Sequence, residues 1–243
     1  MKVIPMLFQT ELVRALLEGR KTVTRRPVNE KNHEHIRFMG SSDDECSNLE
    51  FLGLNYAQWK DENNKTRGPE YLVYCTEYPE EGIVPIGQGP ARKGDLIYVR
   101  ETFAALGHND YQQVSPNHIT EIHEYRYKAS EKESIANCQD YEVRGYKWVP
   151  SIHMPRHASR LTLKVTDVRI ERVKDVTEEE AKKEGVSPYT CTIPKTKNPH
   201  RLAFLKLWSS LYGNKNPNPY VWVIEFDVIH KNVDQVISKM EAA

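Results

Sequence analysis

Glu18-Gly19-Arg20-Lys21-Thr22-Val23-Thr24-Arg25-Arg26-Pro27 is the stretch where a helix must give way to a strand. Upstream, Thr10 is a good helix N-cap, and Leu12, Val13, Leu16 and Leu17 recur at helical spacing with Glu11, Arg14 and Glu18 on the other face. Gly19 suits the left-handed position just past the helix end. From Thr22 to Arg26 the chain reads as a short strand, which Pro27 stops because proline cannot donate to a sheet ladder. Alternation puts Thr22, Thr24 and Arg26 on one face and Val23 and Arg25 on the other. Lys21 and Thr24, three apart, would fall on opposite faces of a regular strand. Lys21 therefore belongs in the turn, from which its long stem can reach over Thr24.

The rest of the 243 residues bounds the possibilities. An apolar fraction of 39% with 28% charged residues fits one large or two small soluble domains. Because 34 Lys and Arg balance 34 Asp and Glu, no global field favours a polyanion, and nucleic-acid binding needs a local basic patch or recognition of a base. Cys46, Cys75, Cys138 and Cys191 are widely spaced without a C-x-x-C pair, which reads as reduced thiols rather than a zinc ribbon. The nine His form no sharply spaced ligand pair, so neither a metal nor a cofactor is expected. The chain has no apolar run long enough for a bilayer and no signal-like N-terminus; the expectation is a cytoplasmic protein without a membrane partner.

Residues 29–90 are polar and weakly periodic, predicting a long excursion with short elements and no second core. Lys93-Gly94-Asp95 turns into a strand at 96–101, and a second polar stretch, 104–145, holds one candidate strand at 122–129. Arg160 to Val173 reads as a long strand, either straight or with a bend, with Leu161, Leu163 and Val165 on one face. Thr177-Glu178-Glu179-Glu180 is a capping box opening a helix that ends at Glu184-Gly185. A longer helix runs from Asn198-Pro199 to near Gly213 with Leu202, Leu205, Trp208 and Leu211 or Tyr212 inward, followed by a strand from Tyr220 to Val228. The mixture lacks regular βαβ repetition, which predicts an α+β fold around a small sheet or barrel. Residues 1–230 are expected to form one domain with insertions at about 29–90 and 104–145, and 231–243 a polar appendage.

The order of these pieces resembles the ASCH family: a helix, then Gly19-Arg20-Lys21-Thr22-Val23-Thr24-Arg25-Arg26, Gly94-Asp95 before a strand, and Val223-Ile224-Glu225-Phe226 near the end. Val99-Arg100-Glu101-Thr102, Trp148 to Arg156, Ala158-Ser159-Arg160 and Asn218 to Trp222 resemble its longer phage and prophage branch. The resemblance implies a PUA-like fold, a small mixed β-barrel with flanking helices, here carrying the two long insertions. It implies a nucleoside or nucleic-acid ligand, RNA more than DNA. A small bacterial member of the superfamily is an N(4)-acetylcytidine amidohydrolase, whose Lys, Thr and Glu trio falls on Lys21, Thr24 and Glu184; Arg25 stands where that enzyme has an apolar residue.

Physically, a threonine hydroxyl needs a base before it can attack an amide carbonyl, and a lysine is that base only if burial or nearby cations lower its pKa. Arg20, Arg25, Arg26, Arg100, Glu101 and Arg156 are the candidate substrate- or nucleic-acid-binding residues, since guanidinium groups pair with phosphates and base edges. Plainer readings stand beside these. Lys21 reads as well as a solvated lysine, Thr24 as a strand threonine, Glu184 as a surface carboxylate with Lys182 and Lys183 offsetting its position at the negative helix end, and His153 as a core histidine. The same chain also fits a non-catalytic RNA- or DNA-binding module with a basic groove through Arg14, Arg20, Arg25, Arg26, Arg156, Arg160 and Lys164, or a ribonuclease.

Overall fold

The computed structural model describes residues 1–40, 52–108, 112–131, 146–190, 197–213 and 215–242. In chain order its elements are β1 (Val3–Leu7), α1 (Thr10–Leu17), β2 (Val23–Pro27), α2 (Glu30–Gly40), β3 (Leu52–Lys60), β4 (Thr66–Cys75), β5 (Val84–Gly87), β6 (Leu96–Arg100), β7 (Phe103–Gly107), β8 (Ile122–Tyr127), β9 (Thr162–Arg172), α3 (Glu178–Lys183), α4 (Pro199–Tyr212), β10 (Tyr220–Ile229) and α5 (Val233–Glu241). The class is α+β. A five-stranded sheet runs β1-β6-β9-β10-β2, beside a three-stranded sheet β3-β4-β5 and a β7-β8 hairpin. Only the β1–β6 pairing of the large sheet is parallel.

The β9–β10 pair organises the two faces of that sheet. Along β10, Tyr220, Trp222, Ile224, Phe226 and Val228 share one face by simple alternation. On β9 the partners of Val228 and Phe226 are Leu163 and Val165, but those of Ile224 and Trp222 are Val168 and Ile170. The register shift between Glu225 and Phe226 inserts one extra residue in β9 and so changes the phase of its alternation. Apolar residues on both sides of the bulge therefore reach the same side. That side carries a cluster with Phe8, Val13, Leu16, Leu163, Val165 and Ile224. The same phase change sends Asp167, Arg169 and Glu171 to the opposite face, opposite Glu225, Val223 and Val221. There Val23, Val221 and Val223 pack under α4 through Phe204 and Trp208.

The sheet is open in the described residues: its edge strands, β1 and β2, share no ladder. Each contains a proline, Pro5 or Pro27, which cannot donate to a ladder and suits an edge. A guanidinium bridges the gap instead, with Arg26 Nη2 donating to Leu7 O at 2.9 Å.

Several elements differ from expectation. The 29–90 excursion holds β3 and β4, nine and ten residues long, and Tyr71, Val73, Cys75, Ile86 and Ile36 form a cluster with Ile170, Tyr220 and Trp222 of the large sheet. Its polar residues alternate with apolar ones that only a second sheet brings together. In the second insertion, every residue of β7 is buried. The expected appendage at 231–243 is docked through its described residues, 231–242. Asn232 caps α5, Val233 and Val236 pack on Leu96, and Asn232 Nδ2 donates to Ser159 O at 2.7 Å. On α4 the inward residues are Phe204 and Trp208, one turn apart, while Leu211 and Tyr212 are exposed. Helix α1 begins at Thr10 with Gln9 as its N-cap, so Thr10 is inside the helix and not its cap. Cys75 is buried and free; Cys46, Cys138 and Cys191 lie outside the described residues.

Candidate functional site

The turn between α1 and β2 is fixed by backbone hydrogen bonds before any side chain acts. Arg20 N and Lys21 N both donate to Ala15 O, and Gly19 adopts a φ of 71°. Thr22 N donates to Lys183 O at 2.9 Å, and Thr22 O accepts from Phe226 N at 3.0 Å. The turn is thus tied to the end of α3 on one side and to β10 on the other. Lys21 sits in it, ahead of the strand, as its spacing from Thr24 required.

Helix α3 is short but firmly started. Thr177 accepts from Glu180 N, and the Glu180 carboxylate accepts from Thr177 N, the reciprocal pair of a capping box. It ends with Glu184 as its C-cap and Gly185 at φ 78°. A Cβ on Gly185 would lie 2.6 Å from Ala15 Cβ and 2.8 Å from Lys21 Cβ. Glycine here permits both the left-handed turn and the close approach of α3 to α1.

That approach brings Glu184 to Lys21. Lys21 is wholly buried and Glu184 is 4% exposed. Lys21 Nζ donates to Glu184 Oε2 at 2.7 Å, to Val23 O at 2.7 Å and to Glu184 O at 2.9 Å. An ammonium has three protons, and these three acceptors account for all of them. Burial pulls the Lys21 pKa below its ordinary value; the Glu184 carboxylate opposes this, and Arg26 and Arg25 reinforce it. Neither the solvated lysine nor the surface carboxylate read from sequence exists in the fold. Lys21 and Arg25, not Lys182 and Lys183, compensate Glu184 at the negative end of α3; Lys182 pairs with Glu179.

Arg25 is buried on the opposite alternation from Thr24. Its guanidinium lies 3.2 Å from Glu184 Oε1, 2.8 Å from Glu171 and 3.4 Å from Glu180. Arg169 extends the network to Glu171, Glu180 and Glu225. Arg25 was expected to contact ligand; it is enclosed by carboxylates instead, because α3 covers its face of the sheet. Thr24 is 3% exposed and stands opposite Ile224 in the ladder. Among the described residues its hydroxyl has no hydrogen bond to Lys21 or Glu184. The structure thus brings Lys21, Glu184 and Arg25 together, while Thr24 lies on the other face of β2 from Arg25.

Phe8 joins this centre to the next candidates. Its ring centroid is 5.9 Å from Lys21 Nζ and 5.3 Å from the Arg26 guanidinium carbon, and its N–H donates to Arg100 O at 3.1 Å. Arg26 also donates to Tyr212 Oη at 3.2 Å. Arg20 donates to Gly185 O and pairs with Glu18. Arg100 donates to Ile152 O, and Arg156 pairs with Asp234 of α5. Glu101 is 1% exposed and held by two hydrogen bonds from Arg160, whose guanidinium stacks 4.0 Å from the Tyr127 ring. Burial pushes the Glu101 carboxyl pKa up, and Arg160 opposes the rise. His153 is exposed, not a core histidine; the buried residue of that stretch is Met154. Trp222 is core, as its strand face required.

Phe8, Glu171 and Arg169 escaped the sequence reading, and Glu180 was read only as part of a helix cap. The alternation Asp167-Val168-Arg169-Ile170-Glu171 was a usable signal for a charged strand face, whereas Phe8 carried none. Among the described residues, no group of three or more His, Cys, Asp and Glu is placed to hold a metal ion, and no helix is long and apolar enough to cross a membrane. No protein-family model, curated protein or solved structure matches this chain.

Proposed function

We propose that the chain is an ASCH-type protein of the PUA-like class that takes an N(4)-acylated cytosine nucleoside, or a related modified base, at Lys21 and hydrolyses its amide. The observation that carries this reading is the buried Lys21–Glu184 ion pair, with Lys21 in the turn just ahead of the strand that holds the buried Thr24. Buried ion pairs are costly to desolvate, and groups with pKa values displaced by burial concentrate at reactive sites.

The chemistry follows from the pair. Passing one Nζ proton across 2.7 Å to Glu184 Oε2 leaves a neutral amine and a carboxylic acid. The amine then removes the Thr24 hydroxyl proton as Oγ1 attacks the acyl carbonyl carbon. The C–N bond breaks, the departing cytosine amine takes the Glu184 proton, and water hydrolyses the acyl-threonine to the free acid. Without substrate, Thr24 is not yet bonded to the base, a looseness common in unliganded sites. Arg26, bonded to Leu7 O and Tyr212 Oη but to no carboxylate among the described residues, is the cation that faces a ligand at the gap between β1 and β2.

Local charge pairing favours a nucleoside over a polymer. Of the arginines expected to form a basic groove, Arg14, Arg20, Arg25, Arg156 and Arg160 each pair with a carboxylate. A polyanion would meet few free cations. Binding without chemistry is the second reading, supported by the saturation of all three Nζ protons.

The test is acetate release from N(4)-acetylcytidine by the wild type, Lys21→Ala and Thr24→Val. Turnover that falls by about 100-fold or more in each variant supports general-base catalysis. Wild-type protein that turns over no member of a panel of acylated nucleosides overturns the enzyme, and nucleoside binding by that same protein would then support the binding module.

A further inference from the structure

A second cleft lies away from Lys21, where the three-stranded sheet meets the turn before β6. Its volume is about 670 Å³, within the range of about 300–1,000 Å³ usual for small-molecule sites. From the cleft geometry we infer that it binds a small organic phosphate, a phosphomonoester, through Arg92 and Lys93. This inference does not rest on the reading of the Lys21 site.

The turn itself is built to present these cations. Asp95 is 1% exposed, and its carboxylate is occupied from inside the fold by Lys2 N at 2.7 Å, Arg92 N at 3.2 Å and Arg92 Nε at 3.2 Å. Holding Arg92 by its Nε fixes the plane of the guanidinium, which also lies 5.3 Å from the centre of the Tyr56 ring. Tyr56 is fixed in turn by its hydroxyl bond to Gln88 and by edge contact with Tyr71. The terminal nitrogens of Arg92 donate to no carboxylate or carbonyl among the described residues, and their side-chain partner is the Tyr56 hydroxyl. This is the planar fork, held in place beforehand, that matches phosphate oxygens in pairs.

Lys93, next in the chain and also on the cleft wall, is exposed and has no ion pair among the described residues. Two cations outnumber the single opposing carboxylate of the wall that is not spent within the turn, Asp167, and Asp167 lies 3.6 Å from Arg169 on its other side. An arginine fork with an adjacent lysine suits a dianion better than a carboxylate monoanion. Leu54 and Val168 line the remaining wall and offer an apolar surface to the organic part of the ligand.

Calorimetric titration with cytidine 5′-monophosphate, glycerol 3-phosphate, inorganic phosphate and cytidine tests the inference on the whole chain. The expected result is binding of one or both phosphomonoesters by the wild type and by Lys21→Ala, with affinity at least tenfold weaker in Lys93→Glu. Lys93 is exposed, so that variant should fold; Arg92→Lys, which keeps a cation for Asp95 but loses the fork, should weaken binding as well. Absence of phosphomonoester binding overturns the inference. So does affinity unchanged in both cleft variants, or cytidine binding as tightly as its monophosphate. Failure of acetate release leaves this result untouched, so the two readings fail separately.

Discussion

Replacing Glu184 by Gln removes one charge while keeping the side chain's shape. In the native fold the Glu184 carboxylate is the only one within salt-bridge distance of Lys21 among the described residues, at 2.7 Å. Arg25, by contrast, keeps Glu171 at 2.8 Å when Glu184 is neutralised. The substitution therefore leaves one buried ammonium without a counter-charge, a situation that costs about 3–5 kcal/mol. Lys21→Met is the informative control. It leaves Glu184 with the Arg25 guanidinium at 3.2 Å and takes the Lys21 donor from Val23 O and Glu184 O, a loss of about 1–3 kcal/mol for each carbonyl. Each single substitution should therefore cost several kcal/mol. In the double variant the loss should be smaller than the sum of the two, because no isolated ammonium remains. Urea unfolding followed by tryptophan fluorescence measures all three. Single variants that each lose less than about 1 kcal/mol, or a double variant that loses the full sum, would refute the account of a buried, mutually dependent pair.

The remaining predictions concern pH and packing. Because the folded-state pKa of Lys21 lies below its ordinary 10.5, the unfolded chain binds more protons in the window between the two values. Stability should therefore rise with pH across that window, and this contribution should vanish in Lys21→Met. Burial raises the pKa values of Tyr71 and Tyr127, so above about pH 10, where unfolded tyrosines ionise, they act in the opposite sense. Unfolding midpoints of the two proteins, compared between pH 7 and 10, give the difference. Gly185→Ala adds a Cβ 2.6 Å from Ala15 Cβ at a positive φ, combining overpacking of about 1–3 kcal/mol with a left-handed cost of about 1–2 kcal/mol. Gly19→Ala meets nothing within 4 Å and should lose only the left-handed cost, about 1–2 kcal/mol. Equal thermal midpoints for the two variants would contradict the close packing of α3 on α1.

Legibility followed the range of the interactions. The capping box at Thr177, the end of α3 at Gly185, the turn position of Lys21 and the apolar face of β10 all arise from contacts a few residues apart, and all could be read from local pattern. The β3–β4 pairing and its cluster could not, because the apolar residues of 52–75 find cover only on Ile170, Tyr220 and Trp222. The bulge in β9 left a local trace, the change of apolar phase from Leu163 and Val165 to Val168 and Ile170, but which side each half faces depends on its pairing with β10. For the site, sequence named Lys21, Glu184 and Arg25 but assigned Arg25 to ligand contact. Its true surroundings depend on α3 lying across that face of the sheet.

The amino-acid sequence by itself determined where the helix stops, why Lys21 precedes the strand, and which residues alternate across β2. These are steric and hydrogen-bonding consequences of neighbouring residues. Tertiary structure alone decided that Lys21 meets a carboxylate 163 positions away, that Arg25 is enclosed, and that the cleft at Arg92 exists. Whether a charge is solvated or buried depends on what covers it, and that cover is assembled from distant segments whose approach no local period encodes.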